Sequence, residues 1–375
     1  VPQRLRTLLA QVGSLALAGI LLYLALRGVD FSAVGDALKS ANYTWLLPLI
    51  GIVILSVYIR AIRWKILLDA IPEQEDEVHN VSVKTAFYSL LIGYMVNYAA
   101  PRLGEVARST NVARQEKVRF ASVFGTVVVE RILDVVVLAA ALLSVAFLLS
   151  DRLTTLNDLF IEPIVRQVGE LPAVAILLLT VLTALGVLFI YRRILIEDSL
   201  IQRIWMRHVQ PVFVSFKNGL LSLLKIRRPV LLIVTTVAMW FCYLLMAYLP
   251  LLMLGLVDDY SLSLTDAWGI MTLGALGIAV PSPGGIGSYH FITIQTLQHL
   301  YGTPAEPAAT YAVLTHAAQL VLYTASGFIA LMLQGLGLKS ISTVVPIDGR
   351  GNVEDESTDT DSSHAPPMER TQSDS

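Results

Sequence analysis

Charge is scarce in this chain. Only 15% of its 375 residues are Asp, Glu, Lys or Arg, while 55% are hydrophobic. Its mean hydropathy is +0.66. A soluble domain runs nearer a quarter charged, so a water-soluble globular enzyme is a poor reading. Thiols are scarcer still. The single cysteine, Cys242, excludes a disulfide framework and a zinc-thiolate site. No serine triad, His-Glu-x-x-His motif, acid–base dyad or phosphate-binding loop stands out. No catalytic residue, metal site or cofactor is therefore assigned. Gly284-Gly285-Ile286-Gly287 is glycine-rich but lacks the strand–loop–helix context of a nucleotide loop. No basic-aromatic stripe points to nucleic acid.

What the chain has is apolar length. A span needs about 20 mostly apolar residues. Six runs qualify, at about 8–26, 45–62, 121–149, 172–191, 229–252 and 308–335. The first is read as a retained helix rather than a cleaved signal. Lys and Arg stay cytoplasmic. With the N-terminus inside, twenty of them fall on the inner side and only Arg27, Lys39, Arg152 and Arg166 on the outer. In that count Arg60, Arg63 and Lys65 belong to an inner loop. Both termini are then cytoplasmic, in a multi-pass protein of the inner (cytoplasmic) membrane.

Two apolar stretches break the count. Thr85–Ala100 ends in Asn97-Tyr98-Ala99-Ala100-Pro101 and has basic residues on both flanks. Ala267–Leu300 is interrupted at Pro281-Ser282-Pro283-Gly284-Gly285. Pro and Gly remove or loosen helix hydrogen bonds. Such backbone is tolerated at membrane depth only where protein or water covers it. The expected fold is therefore all-α: a polytopic transmembrane helical bundle of about six full spans plus two re-entrant helical hairpins in an inverted repeat. Pro101-Arg102-Leu103-Gly104 and Pro281-Ser282-Pro283-Gly284 mark the two breaks. The hinge set is Pro101, Gly104, Pro281, Pro283, Gly284, Gly285 and Gly287. Opposed broken helices in two halves point to a transporter site near the midplane.

The membrane domain is expected over 1–338, with a first half at about 1–150 and a second at about 170–336. Between long spans, 193–228 reads as an amphipathic cytoplasmic segment. Residues 339–375 read as a disordered acidic cytoplasmic tail.

Charges inside a span are costly and are paired or functional. Glu130, Arg131 and Asp134 fall in the run 121–149. Glu130 and Asp134 share a helix face, and Arg131 reaches Asp134 at i,i+3. An internal ion-pair network and a counter-charge for a head group are the two readings. Asn97, Pro101, Arg102, Gly104, Glu105 and Arg108 form the densest polar cluster. An arginine at a broken-helix tip can fork onto phosphate. His290 and His316 are the titratable candidates of the second half.

Asn97…Pro101-Arg102-x-Gly104-Glu105-x-x-Arg108, then Glu130-Arg131-x-x-Asp134, then Pro281-x-Pro283-Gly284-Gly285-Ile286-Gly287 resembles the lysylphosphatidylglycerol synthase transmembrane-region family. These are also described as flippase-like membrane proteins. The resemblance covers roughly residues 8–336. In the best-understood relatives this unit is fused to a cytoplasmic aminoacyl transferase and moves its lipid product to the outer leaflet. No soluble domain follows Leu338, so the resemblance implies the translocating part without the synthase. It departs at His290, where the family commonly has an acid, and at His316, where it commonly has an arginine. A neutral His–His contact in place of an ion pair would make the outer hairpin pH-sensitive.

The resulting expectation is a non-enzymatic protein that binds and translocates a polar phospholipid. Its head-group site would draw on Asn97, Arg102, Glu105, Arg108, Glu130, Arg131, Asp134, His290 and His316. Its partners would be membrane lipids and a separately encoded lipid or glycan synthase. The alternatives are a membrane-embedded transferase acting on lipid or polyprenyl-phosphate substrates, and a secondary transporter of a small solute.

Overall fold

The structure is a computed structural model. It describes residues 16, 19–70, 81–100, 103–150, 162, 226, 228–279 and 285–335. The run 172–191, the segment 193–228 apart from its last residues, the tail, and most of the run 8–26 lie outside the described residues.

All regular structure among the described residues is helical. A short α1 (Phe31–Ser40) is capped by Asp30, whose side chain accepts from Ser32 N. It leads through a 3-10 turn, Tyr43–Trp45, into α2 (Leu46–Leu68). Then come α3 (Val83–Ala99), α4 (Leu103–Gln115) and α5 (Phe120–Leu148). After the undescribed stretch follow α6 (Pro229–Met253), α7 (Leu264–Ala279), α8 (Ser288–Tyr301) and α9 (Ala305–Leu333). Pro229 opens α6, where the missing N–H costs nothing. Gly302 closes α8 in the left-handed conformation with φ 66°.

Four of these segments are long and apolar enough to cross a bilayer: Tyr43–Leu68, Phe120–Leu148, Pro229–Met253 and Ala305–Leu333. They match four of the six expected runs. One boundary is corrected. The run expected to stop at 62 continues as helix to Leu68, so Arg60 and Arg63 lie on the spanning helix and not in a loop. They are tolerated there because the bundle supplies carboxylates, as described below.

The other four major helices are short. α3 and α4 have 17 and 13 residues, and α7 and α8 have 16 and 14. At a rise of 1.5 Å per residue each reaches about 20–25 Å, less than the ~30 Å hydrocarbon core. Each pair packs on itself as a hairpin. The order is span, hairpin, long helix, and it occurs twice. α5 and α9, the two long helices, both have 29 residues.

The halves are interleaved. α4 packs on α5 of its own half, while α3 packs on α9 of the other. Likewise α8 packs on α9, while α7 packs on α5. Spans α2 and α6 pack against each other. α3 runs antiparallel to α9. Near one end of α9 Asn111 of α4 bridges Ser89 and Gln334, and further along Tyr94 stacks on Tyr323 at 4.4 Å. At the tip Tyr98 meets His316. The second hairpin reaches the same level from the opposite end of α9, with Tyr289 OH 2.9 Å from Thr315 Oγ1.

Small residues set the spacing. Between helices in lipid, close packing rather than water exclusion drives association, and small side chains allow it. A Cβ on Gly104 would collide with Gly93 O and the Asn97 side chain. One on Gly277 would lie 2.7 Å from Tyr289 Cα, and one on Gly327 would lie 2.7 Å from Leu91 O. Ala61, Ala107, Ala308, Ala309 and Ala312 are all fully buried.

Candidate functional site

The first hairpin packs its α3 against α2 and its α4 against α5, and that junction is where the bundle's charge is collected. Glu130 of α5 is completely buried. Its Oε1 accepts from Arg60 Nε at 2.7 Å, and its Oε2 lies 2.7 Å from Arg108 Nη2. Arg63 Nη2 donates to the Glu130 carbonyl oxygen at 3.3 Å and pairs with Asp134. Arg131 pairs with Glu105 and lies 3.8 Å from Asp134. Four arginines and three carboxylates from α2, α4 and α5 thus share one network.

The surroundings hold the guanidiniums in place. Arg60 Nη1 donates to Tyr94 OH at 2.7 Å. Arg108 lies over the Trp64 ring at 4.6 Å, a cation–π contact. Trp64 is itself fixed by an Nε1 donation to Thr126 Oγ1 at 2.9 Å. Arg63 is fully buried and Arg108 is 3% exposed. Each keeps an N–H without a partner, at Nε and Nη1 respectively. Breaking one partner out of such a buried set leaves an uncompensated charge, which costs about 3–5 kcal/mol.

Where the second hairpin meets α9, the described residues bring together two histidines in place of the arginines and carboxylates. His290 and His316 bring their rings to 4.8 Å. Both are buried, and His290 Nδ1 and His316 Nε2 have no hydrogen-bond partner among the described residues. Tyr98, from the first hairpin, and Tyr289 border the pair.

Counting along the helices puts the two junctions in register. Glu105 is the third residue of α4 and His290 the third of α8. Arg131 is the twelfth residue of α5 and His316 the twelfth of α9. Gly93 and Gly274 are each the eleventh residue of their arm, and a Cβ on either meets the second and sixth positions of the helix it crosses: Gly104 and Arg108, or Tyr289 and Thr293. The Glu105–Arg131 ion pair and the His290–His316 contact therefore occupy equivalent places.

The family model for the lysylphosphatidylglycerol synthase TM region matches residues 11–327. The chain belongs to that family. It is a multi-pass membrane protein built on helices that span. Neither a curated protein nor a solved structure matches it.

Within this member of the family, the residues singled out from sequence are distributed unequally. Glu105, Arg108, Glu130, Arg131 and Asp134 are brought into one network. Asn97 stands beside it in a positioning role, its Oδ1 accepting from Gly104 N at 2.8 Å. His290 and His316 meet at the second junction. Gly285 and Gly287, just before α8, take φ of 80° and 86°, where glycine is favoured. Pro101, Arg102, Pro281, Pro283 and Gly284 lie outside the described residues. Arg131 reaches Asp134 as expected, and it also pairs with Glu105. Arg60 and Arg63 were missed as site residues because terminal arginines read as inner-loop charge. Their i,i+3 spacing, facing two acids at i,i+4 in another span, was the available signal.

An apolar cavity of about 580 Å³ opens between α5, α6 and α7. It is lined by Leu133, Val137, Val237, Trp240 and Trp268 among others. None of the seven residues of the charged network lines it. Among the described residues no group of three or more His, Cys, Asp or Glu is placed to hold a metal ion.

Proposed function

We propose that this protein binds a polar phospholipid and translocates it between the leaflets of the inner (cytoplasmic) membrane. The observation that carries the reading is the buried network of Arg60, Arg63, Arg108 and Arg131 with Glu105, Glu130 and Asp134 at the crossing of a hairpin too short to span. Intramembrane charge of this density is expensive and marks a pathway or a binding site. Membership in a family named for a phospholipid synthase's membrane region supports a lipid as the cargo. An apolar cavity along the same long helix, α5, suits an acyl chain better than a small polar solute.

In this reading the two hairpins approach from opposite leaflets, as an inverted repeat. Arg131 holds the lipid phosphate at the inner junction. The acids of the network keep the buried arginines ionised and aligned. The glycine crossings clamp the two arms of each hairpin together, so that a hairpin shifts as a unit and the site opens to one leaflet at a time. The protein performs no covalent chemistry, and a separately encoded lipid or glycan synthase supplies its cargo.

The test is reconstitution. Purified protein in liposomes carrying fluorescent phospholipids should expose inner-leaflet label to an external quencher faster than empty vesicles do. Folded, correctly inserted protein with no gain over empty vesicles rejects translocation. Metal-dependent formation of a new lipid product would replace it with the transferase reading.

A further inference from the structure

We propose that the head group this site selects is anionic: a phosphate-bearing lipid without a compensating amine. The proposal rests on the translocation reading and names its substrate class.

The first argument is charge balance. Arg60, Arg63, Arg108 and Arg131 face Glu105, Glu130 and Asp134, four positive groups against three negative ones. Among the described residues the network is left with one positive charge in excess. The second argument is occupancy. Five of the six carboxylate oxygens lie within 4 Å of a guanidinium nitrogen. The sixth, Glu105 Oε2, is sealed from solvent. An ammonium would have to displace an arginine to reach any of the five paired oxygens, and to open a buried site to reach Glu105 Oε2.

The third argument is access. The Arg131 side chain is 49% exposed, whereas those of Glu105, Asp134 and Glu130 are 19%, 21% and 0% exposed. An arriving head group meets a guanidinium first. That group offers a planar fork matched to phosphate oxygens.

The second junction repeats the answer. The register places His290 where the first half has Glu105. It places Thr315 and Gln319 of α9 where α5 has Glu130 and Asp134. None of the three carboxylates has an acidic counterpart. Among the described residues of α7, α8 and α9 the acids are Asp266 and Glu306. Both stand in the first turn of their helices, and Asp266 already accepts from Ser263. Among the described residues of the second junction, a cationic head group finds no carboxylate to pair with.

The experiment uses the full-length protein and three lipids: phosphatidylglycerol, phosphatidylethanolamine and lysylphosphatidylglycerol. Binding is read in detergent by native mass spectrometry from equimolar mixtures, and translocation is read in proteoliposomes with labelled versions. Phosphatidylglycerol should be favoured over the lysyl lipid by roughly tenfold in binding. Glu105→Gln frees the Arg131 fork and should tighten phosphatidylglycerol binding by roughly threefold to tenfold, while Arg131→Gln should weaken it by a similar factor. Arg131→Lys, which keeps the charge, should retain the preference for the anion. A lysyl lipid bound as well as or better than phosphatidylglycerol overturns the proposal, as does loss of phosphatidylglycerol binding in Glu105→Gln protein that melts normally. Anion-selective binding without transport keeps the head-group assignment and rejects translocation. Transport with the reverse preference does the opposite, and no binding of any of the three lipids rejects both.

Discussion

The two halves of this membrane domain share a scaffold and divide the chemistry. Each offers a span, a two-helix hairpin and a 29-residue helix. Each places a contact between the third residue of the hairpin's second arm and the twelfth residue of the long helix. In the first half that contact is an ion pair inside a seven-residue charged network, and in the second it is two imidazole rings 4.8 Å apart. The scaffold therefore does not require charge. Helix length and small residues at the crossings suffice to seat a hairpin, and the side chains at the seat are free to specialise. The junctions are linked by an aromatic chain: Tyr94 binds Arg60 and stacks on Tyr323, which borders Tyr98, which borders His316.

The strongest way to break this comparison is to remove Glu130 and its register counterpart Thr315. Glu130→Ala leaves Arg60, Arg63 and Arg108 buried without their shared carboxylate, an expected loss of about 3–5 kcal/mol. Thr315→Ala gives up a hydroxyl that meets Tyr289 OH and should cost about 1 kcal/mol. Thermal unfolding in one detergent, with yield of monodisperse protein as a second readout, compares them directly. Equal losses at the two sites would mean that the charged network is not what anchors the first hairpin.

The glycine crossings come next. A Cβ at position 104 strikes backbone, and the Gly93 carbonyl cannot rotate away as a side chain can. At position 277 the obstacle is the Ser288 carbonyl oxygen at 2.8 Å together with Tyr289. Gly104→Ala and Gly277→Ala should each destabilise by about 1–3 kcal/mol, with the larger effect at Gly104. Both should slow translocation more than binding if hairpin movement limits the rate. A binding defect larger than the transport defect would show the crossings to be head-group walls rather than bearings.

A double-mutant cycle sharpens the comparison by trying to convert one junction into the other. His290→Glu alone, or His316→Arg alone, buries an unpaired charge. The two together restore the type of pair formed by Glu105 and Arg131. The cycle should return a favourable coupling of about 1–3 kcal/mol in unfolding free energy. Transport measured across about pH 5 to 8 should lose in the double variant whatever dependence the histidines confer. Additive single effects, or an unchanged pH profile, would remove the equivalence in chemistry while leaving the backbone register in place.

Much of this was legible in the sequence, and the gaps have physical causes. Low charge and long apolar runs announced a helical membrane domain, and the Pro–Gly breaks located both hairpins. Glu130, Arg131 and Asp134 were recognised because charge within an apolar run is conspicuous, and Glu105 and Arg108 because polar residues cluster at the Pro–Gly break. Arg60 and Arg63 were not, because a charge near the end of an apolar run looks the same whether it faces water or a carboxylate on another helix. Only the packing of α2 against α5 and α6 decides between them. The register between halves was hidden for a related reason. It is carried by helix lengths and crossing points, while the residues at equivalent positions, such as Glu130 and Thr315, share no chemistry.

The smallest expected difference concerns how each tip is tied. In the first hairpin the Asn97 amide oxygen accepts from Gly104 N at 2.8 Å, so a side chain on the incoming arm caps the backbone of the outgoing one. In the second hairpin the direction is reversed: Ser288 Oγ, on the outgoing arm, donates to the Gly277 carbonyl at 2.6 Å on the incoming one. Each bond closes one otherwise unsatisfied backbone group at a helix end, where water is scarce. Asn97→Ala and Ser288→Ala should therefore cost similar amounts, about 1 kcal/mol each. The distinction lies in the partner. Asn97→Ala frees a backbone donor beside the cationic network and should leave or slightly raise anionic-lipid binding, whereas Ser288→Ala frees an acceptor beside the histidines and should lower it. Melting curves and phosphatidylglycerol titrations of the two variants measure both quantities. Matching binding changes in the two would show that the tips differ in how they are sewn but not in what they present to the lipid.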